Sequence, residues 1–124
     1  MSPAPNWPKE HIPDEDQVYR RAHSNFCLPD GTPGPGIIEK KKPNSVDWSK
    51  YSTPEESHKR ATEPQKNAVV GFIAGEVRKM QSLTVEHTPE PIENNRAHSE
   101  INGVKDSEMR LKLLRICRLI IPLP

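Results

Sequence analysis

Apolar and polar positions alternate through QVYRRAH, residues 17–23. The segment reads as a first strand, with Val18, Arg20 and Ala22 on one face and Tyr19, Arg21 and His23 on the other. LPDGTPGPG follows, with three glycines and three prolines in nine residues, and reads as a turn-rich loop. Short strands are expected at Ile37–Ile38 and Ser45–Trp48, on either side of the lysine run 40–42.

STPEES at 52–57 carries a helix start. Thr53 is placed to act as N-cap, Pro54 takes the first helical position, and Glu56 completes a capping box. Glu55 and Glu56 suit the positive end of the helix dipole, and Lys59 and Arg60 suit the other. Pro64 is expected to stop this helix. Its only clearly apolar member is Ala61, so it should lie on the surface, positioned and not buried.

NAVVGFIAGEVRKM (67–80) supports two readings. Val69, Ile73, Val77 and Met80 fall at helical spacing, yet VVGFI suits a buried strand, and Gly71 and Gly75 weaken a continuous helix. A strand over 68–73 and a short helix over 75–81 is the reading adopted. Leu83–His87 then alternates, with Leu83, Val85 and His87 on one face. Ala97–Gly103 reads as another strand, with Ala97, Ser99 and Ile101 opposite His98, Glu100 and Asn102.

The last element is expected to be an amphipathic helix from Ser107 to Ile121, grouping Met109, Leu113, Ile116, Cys117 and Ile120 on one face. Glu108 and Lys112 form a favourable i,i+4 pair on the other. Arg110 sits at the edge of the apolar stripe, where it can snorkel or reach a polar site. Burial of this face should be the largest contribution to the core, and Leu113→Ala should cost about 2–5 kcal/mol. Short strands interrupted by helices make the fold α+β: a small single domain with a mixed or antiparallel sheet and a C-terminal amphipathic helix. The domain is placed at 14–124, behind a proline-rich N-terminal arm at 1–13.

Composition sharpens this picture. The chain has 124 residues, enough for one domain, with 32% hydrophobic and 28% charged residues. Ten of its 14 prolines precede Lys66, so the early half should be loop-rich and the core should draw mainly on the second half. The arm should be extended and weakly ordered, apart from Trp7, whose ring needs somewhere to bury. Folding back on the domain is the plainer reading for Trp7, and docking on a partner is the other.

A net charge of +1 argues against general nucleic-acid binding, which needs a basic stripe that neutralises several phosphates. No segment reads as a signal peptide or as the roughly 20 apolar residues of a membrane span, so a cytoplasmic location is expected. Cys27 and Cys117 should then be reduced thiols.

The chemistry to explain is the pair Arg20–Arg21. Whichever face of the first strand is buried takes an arginine with it, and a buried guanidinium needs a carboxylate, carbonyls or a bound anion. Internal pairing is the leading expectation, with Asp14, Glu15, Asp16, Asp47 or Glu76 as partners. The alternative sets Arg20 or Arg21 on a phosphate or carboxylate, with His23 nearby. His98 and Glu100 share a strand face and form a candidate acid–base pair, although an exposed strand offers such residues without any chemistry. His87, on an apolar face, reads as a satisfied core histidine. No metal-ligand spacing, nucleophile elbow, phosphate loop or dinucleotide fingerprint is present, so neither a metal nor a cofactor is expected.

The order of VYRRAH, SVDW, YSTPEES, VVGFIAGEVRKM and NRAHSEING, across most of residues 12–104, resembles a group of small uncharacterised bacterial proteins. The resemblance brings no established activity and carries over no catalytic residue. An arginine-bearing first strand followed by a serine-led second one is also similar to small ADP-ribosyl-transferase-like folds. The remaining motifs of those folds are not matched.

Two functions follow as expectations. The first is a non-catalytic binding or accessory module acting through a protein partner or a homo-oligomer, with Trp7 as a contact. The second is a small enzyme or ligand-binding domain for an anionic, phosphate- or nucleotide-like molecule, held by Arg20, Arg21, His23, His98 and Glu100.

Overall fold

The computed structural model describes residues 6–124. Within them, six strands form one antiparallel sheet: β1 (Gln17–His23), β2 (Asn44–Trp48), β3 (Asn67–Ile73), β4 (Thr84–His87), β5 (His98–Asn102) and β6 (Arg118–Ile121). Their spatial order is β4-β5-β2-β1-β3-β6. Three helices accompany them: α1 (Pro54–Lys59), α2 (Ala74–Arg78) and α3 (Ser107–Ile116). The domain is thus α+β, and of the two sheet types expected it is the antiparallel one.

Strand alternation sorts the sheet into two unlike faces. One face carries Val18, Ala22, Val46, Trp48, Val70, Phe72, Val85 and Ile101, all buried. It packs against Ala74 and Val77 of α2, Leu113 of α3, and Ile12, Ile37, Ile38 and Leu83 from connecting segments. The other face carries Tyr19, Arg21, Ser45, Asp47 and His98. There α1 lies over β1 and β3, tied down by Ser57 Oγ, which donates to Asp47 at 2.6 Å, and by His58 Nε2, 2.9 Å from the Asn67 carbonyl. Being covered on both faces, β3 is buried along nearly its whole length, which is why NAVVGFI reads as a continuous apolar run. At Gly71 a Cβ would lie 2.5 Å from Ile120 Cδ1 and 2.9 Å from Gln17 Oε1, so a larger residue there would have to displace the ends of those two side chains.

The capping box forms as expected. Glu56 N donates to Thr53 Oγ1 and Thr53 N to Glu56 Oε1, each at 3.1 Å. The helix nevertheless ends at Lys59, before Pro64, as Arg60 and Ala61 fall into i→i+3 bonds to Ser57 and His58. Its buried residue is polar, Ser57, and Ala61, the one apolar residue the sequence offered it, lies beyond its end.

Three further expectations are corrected. Ile37–Ile38 is not a strand: Pro35–Ile37 forms a 3-10 turn, and the Ile37 carbonyl, which a ladder would need, accepts from Arg20 Nε at 2.6 Å. The C-terminal helix stops at Ile116, and 118–121 pairs with β3 as an edge strand. The reason is local and tertiary together. Ile120 and Ile121 are β-branched, Pro122 disfavours a helical Ile121, and the outer edge of β3 needs hydrogen-bond partners. With the helix shortened, Leu113 is its single buried residue, so α3 is not the main contributor to the core. The early half is also more than loop, since Ile12, Val18, Ala22, Ile37, Ile38, Val46 and Trp48 belong to the core, although the second half supplies the larger share, as expected.

Among the described residues, Glu10 joins the N-terminal segment to the sheet. Its backbone N–H donates to Nδ1 of His87 at 3.0 Å, and its carboxylate takes Lys50 Nζ at 2.6 Å and the Tyr51 hydroxyl. Bonds from Lys50 and Tyr51, in that order, hold the Glu10 carboxyl below its ordinary value. Trp7 is half-buried, and Pro3 and Pro5 of the expected arm lie outside the described residues. No helix among the described residues is long and apolar enough to cross a membrane.

Candidate functional site

The uncovered part of the polar face, beside α1, forms a cleft of about 480 Å³. Arg21, Ser45 and His98 rise from its strands, Arg60 from the end of α1, and Glu90, Glu93 and Asn95 from the β4–β5 connection. Two registers place the strand residues together: Tyr19 opposite Asp47 between β1 and β2, and Asp47 opposite His98 between β2 and β5.

Asp47 is the organising group beneath the cleft. It is 2% exposed. Its Oδ2 accepts from Arg21 Nη1 at 3.3 Å, Arg60 Nη1 at 3.2 Å and Ser57 Oγ at 2.6 Å, and its Oδ1 from Asn95 Nδ2 at 2.9 Å. Two guanidinium groups therefore answer one buried carboxylate, and one positive charge is left over. Arg21 also donates Nη1 to the Ser57 carbonyl, and Arg60 donates Nη1 to Ser52 Oγ. Among the described residues, neither arginine uses its Nε or Nη2 inside the protein. That leaves on each the edge whose two parallel N–H groups fit a phosphate or carboxylate. About a third of the Arg21 side chain and 28% of the Arg60 side chain remain exposed.

His98 is held in one tautomer. Its Nδ1 lies 2.8 Å from the Thr88 carbonyl oxygen, which can only accept, so in the neutral ring Nδ1 carries the proton. Nε2 then presents its lone pair 3.3 Å from Ser45 Oγ. Thr88 Oγ1 is also within 3.0 Å of Nδ1, and Thr88 N donates to the His98 carbonyl at 3.0 Å, fixing the ring's support.

Of the residues singled out in the sequence, Arg21 and His98 meet in this cleft. Arg20 does not. It points into the core side, where Nε and Nη1 donate to the carbonyls of Ile37 and Ser45 at 2.6 and 2.9 Å, and burial pulls it down to about 10. His23 lines a neighbouring hollow of about 270 Å³ that shares Arg21 and Arg60, and its Nδ1 accepts from Asn25 N. Glu100 faces Ser45 on β2 and Glu86 on β4, outside the cleft lining. His87 is buried and doubly bonded, to Glu10 N and, at 2.7 Å, to the Arg96 carbonyl. Cys27 and Cys117 are free, and burial raises both thiols above their ordinary value. Among the described residues, no three His, Cys, Asp or Glu side chains cluster to hold a metal.

Arg60, Ser45 and Asn95 were not singled out in the sequence. Arg60 was read as a helix-dipole cation, and Asn95 carried no reading of its own. Ser45 did carry a signal: alternation through SVDW sets Ser45 and Asp47 on the face opposite Val46 and Trp48.

A second hollow, of about 850 Å³, lies between α2 and α3. Met80, Met109 and Ile116 supply its apolar wall, and Lys79, Lys112 and Arg115 its rim, with Glu76 opposing them. It holds none of the residues that organise the polar cleft.

No protein-family model matches the chain, and neither a curated protein nor a solved structure does.

Proposed function

We propose that the protein is a binding domain for a small phosphorylated molecule, seated in the cleft above Asp47. The carrying observation is the unused Nε/Nη2 edge on both Arg21 and Arg60, set over a single shared carboxylate. A phosphate dianion laid between those edges takes up the leftover positive charge. Glu90 and Glu93, at the cleft wall, are acceptors for the hydroxyl groups of a sugar or nucleoside attached to it. The test is a thermal-shift series with inorganic phosphate, ribose 5-phosphate and AMP. A ligand at 100 times its Kd adds about 2.7 kcal/mol of stability. The shift should vanish in Arg60→Gln and weaken in Arg21→Lys, and no shift with any of the three probes overturns the reading.

A second reading, association with a protein partner, draws on the groove between α2 and α3. An apolar wall rimmed by Lys79, Lys112 and Arg115 suits one apolar face of an acidic amphipathic helix. Met109→Glu should abolish capture of an acidic amphipathic test peptide that the wild type retains, while Trp7→Ala reports whether the N-terminal segment takes part. Equal retention by wild type and Met109→Glu removes the groove from consideration.

Two free thiols support a reducing, cytoplasmic setting, and the order of the sequence motifs supports a bacterial source. Both thiols should titrate in protein isolated without added reductant.

A further inference from the structure

We infer that Ser45 and His98 form a nucleophile–base pair, and that the cleft transfers the phosphoryl group of a phosphate monoester to Ser45 and then to water. This rests on the phosphate reading of the cleft and goes beyond it, from binding to chemistry.

A serine–histidine contact on a strand surface is commonly nothing more than a surface hydrogen bond. Three features separate this pair from that case. Ser45 is the one exposed residue of β2, whose other four positions are buried, so its hydroxyl is presented on a rigid, accessible support. The lone pair of His98 Nε2 is directed at that hydroxyl because the Thr88 carbonyl has claimed the proton on Nδ1. This is the arrangement a general base needs: a nucleophile on one nitrogen and an orienting acceptor on the other. The separation of 3.3 Å lies just beyond the roughly 2.6–3.2 Å reach of a general base, as is common before substrate binds. Finally, Arg21 and Arg60, whose bonds within the protein use Nη1, line the same cleft, where a guanidinium can hold the equatorial oxygens of a phosphoryl group as charge develops on them.

Glu90 and Glu93 line the cleft together with His98, Arg21 and Arg60. Asp47, already satisfied by four donors, offsets the two arginines from below.

The steps balance without any further reactant. As the Ser45 Oγ–P bond forms, the hydroxyl proton passes to His98 Nε2, and the bond from phosphorus to the leaving oxygen, in line on the far side, breaks as that oxygen takes a proton from solvent. Phosphoserine and an alcohol result, with His98 holding the Ser45 proton. Water then attacks phosphorus from the side the alcohol left and gives a proton to solvent. The Oγ–P bond breaks, Ser45 regains its proton from His98, and inorganic phosphate leaves.

The experiment uses p-nitrophenyl phosphate with wild type, Ser45→Ala and His98→Gln. It follows nitrophenol release, the mass of the acid-quenched Ser45 peptide, and the thermal shift produced by inorganic phosphate. Ser45 is exposed, so its replacement should leave the fold intact. Wild type should release nitrophenol and carry one phosphoryl group on Ser45, Ser45→Ala should do neither, and His98→Gln should be slowed at least about 100-fold. A phosphate shift in wild type without turnover or phosphoserine overturns the catalytic inference and leaves the binding reading standing. Absence of both the shift and turnover overturns the two together. Equal nitrophenol release by wild type and Ser45→Ala overturns the role of Ser45.

Discussion

Arg21 and Arg60 meet on a single atom: each donates Nη1 to Oδ2 of Asp47, at 3.3 and 3.2 Å. One arginine comes from the sheet and the other from the end of α1, so Asp47 clamps the helix to the strands as well as neutralising charge. Asp47→Ala would leave two cations, the Ser57 hydroxyl and the Asn95 amide without their acceptor. Its expected cost is about 3–5 kcal/mol, the range for breaking a buried ion pair. Asp47→Asn keeps the volume and one acceptor oxygen and should cost less. Urea denaturation of the three proteins gives the comparison.

Thr53 stands at the other end of the same helix. Removing its hydroxyl in Thr53→Ala deprives Glu56 N of its acceptor and undoes half of the capping box, an expected loss of about 1 kcal/mol. Thr53→Ser, which keeps the acceptor, should restore most of it. Because Thr53 lies away from the cleft lining, the phosphate affinity of both variants should match that of wild type.

Gly103 sits at φ +120° directly after β5, with the Ser82 carbonyl pressed against the position a Cβ would take. Backbone conformation and close approach both demand glycine there. Gly103→Ala should destabilise by about 1–3 kcal/mol. Gly31, at φ +87° with open space around its would-be Cβ, isolates the conformational part, and Gly31→Ala should cost less. Thermal melts of the two variants separate the contributions.

Lys105 is fully buried and donates to the carbonyls of Gly103 and Lys42, with no carboxylate in contact among the described residues. Burial holds its ammonium below the ordinary 10.5, the charge of Arg20 adds to the effect, and Glu39 opposes it. The folded protein thus sheds this proton at a lower pH than the unfolded chain does. Between those two values the unfolded chain binds more protons, so Lys105 makes stability rise with pH in the alkaline range below 10.5. Below that window the full cost of the buried charge is present. Lys105→Met should lose the alkaline gain. Urea midpoints for both proteins, from neutral pH toward 10.5, should shift in favour of wild type as pH rises.

What the sequence disclosed follows a physical line. β1, β3, β4, β5 and the start of α1 were legible because alternation, β-branching and a capping box are properties of neighbouring residues. Leu113 was also legible: it is buried as its helical spacing required, and Leu113→Ala keeps its expected cost of about 2–5 kcal/mol. The failures share a cause. Ile37–Ile38 became a turn because a guanidinium distant in sequence took its carbonyl, and Leu119–Ile121 became a strand because β3 offered a vacant edge. Neither neighbour is visible in a local window.

The candidate site divides in the same way. Arg21 and His98 were found by residue type and strand position. Asp47 was named as one possible partner among five, and the register of β1 on β2 selects it. Arg60 enters only because α1 crosses β1, which no spacing in the sequence encodes.

The strand order carries a kinetic consequence. β1 lies at the centre of the sheet, yet its longest pairing joins Gln17 to Ile73 and His23 to Asn67, across long stretches of intervening chain. No two strands are joined by a two-residue hairpin that would form early. Entropy of loop closure must be met before the central ladder returns any bonding energy, so folding of this domain belongs to the millisecond-to-second regime of non-local β topologies.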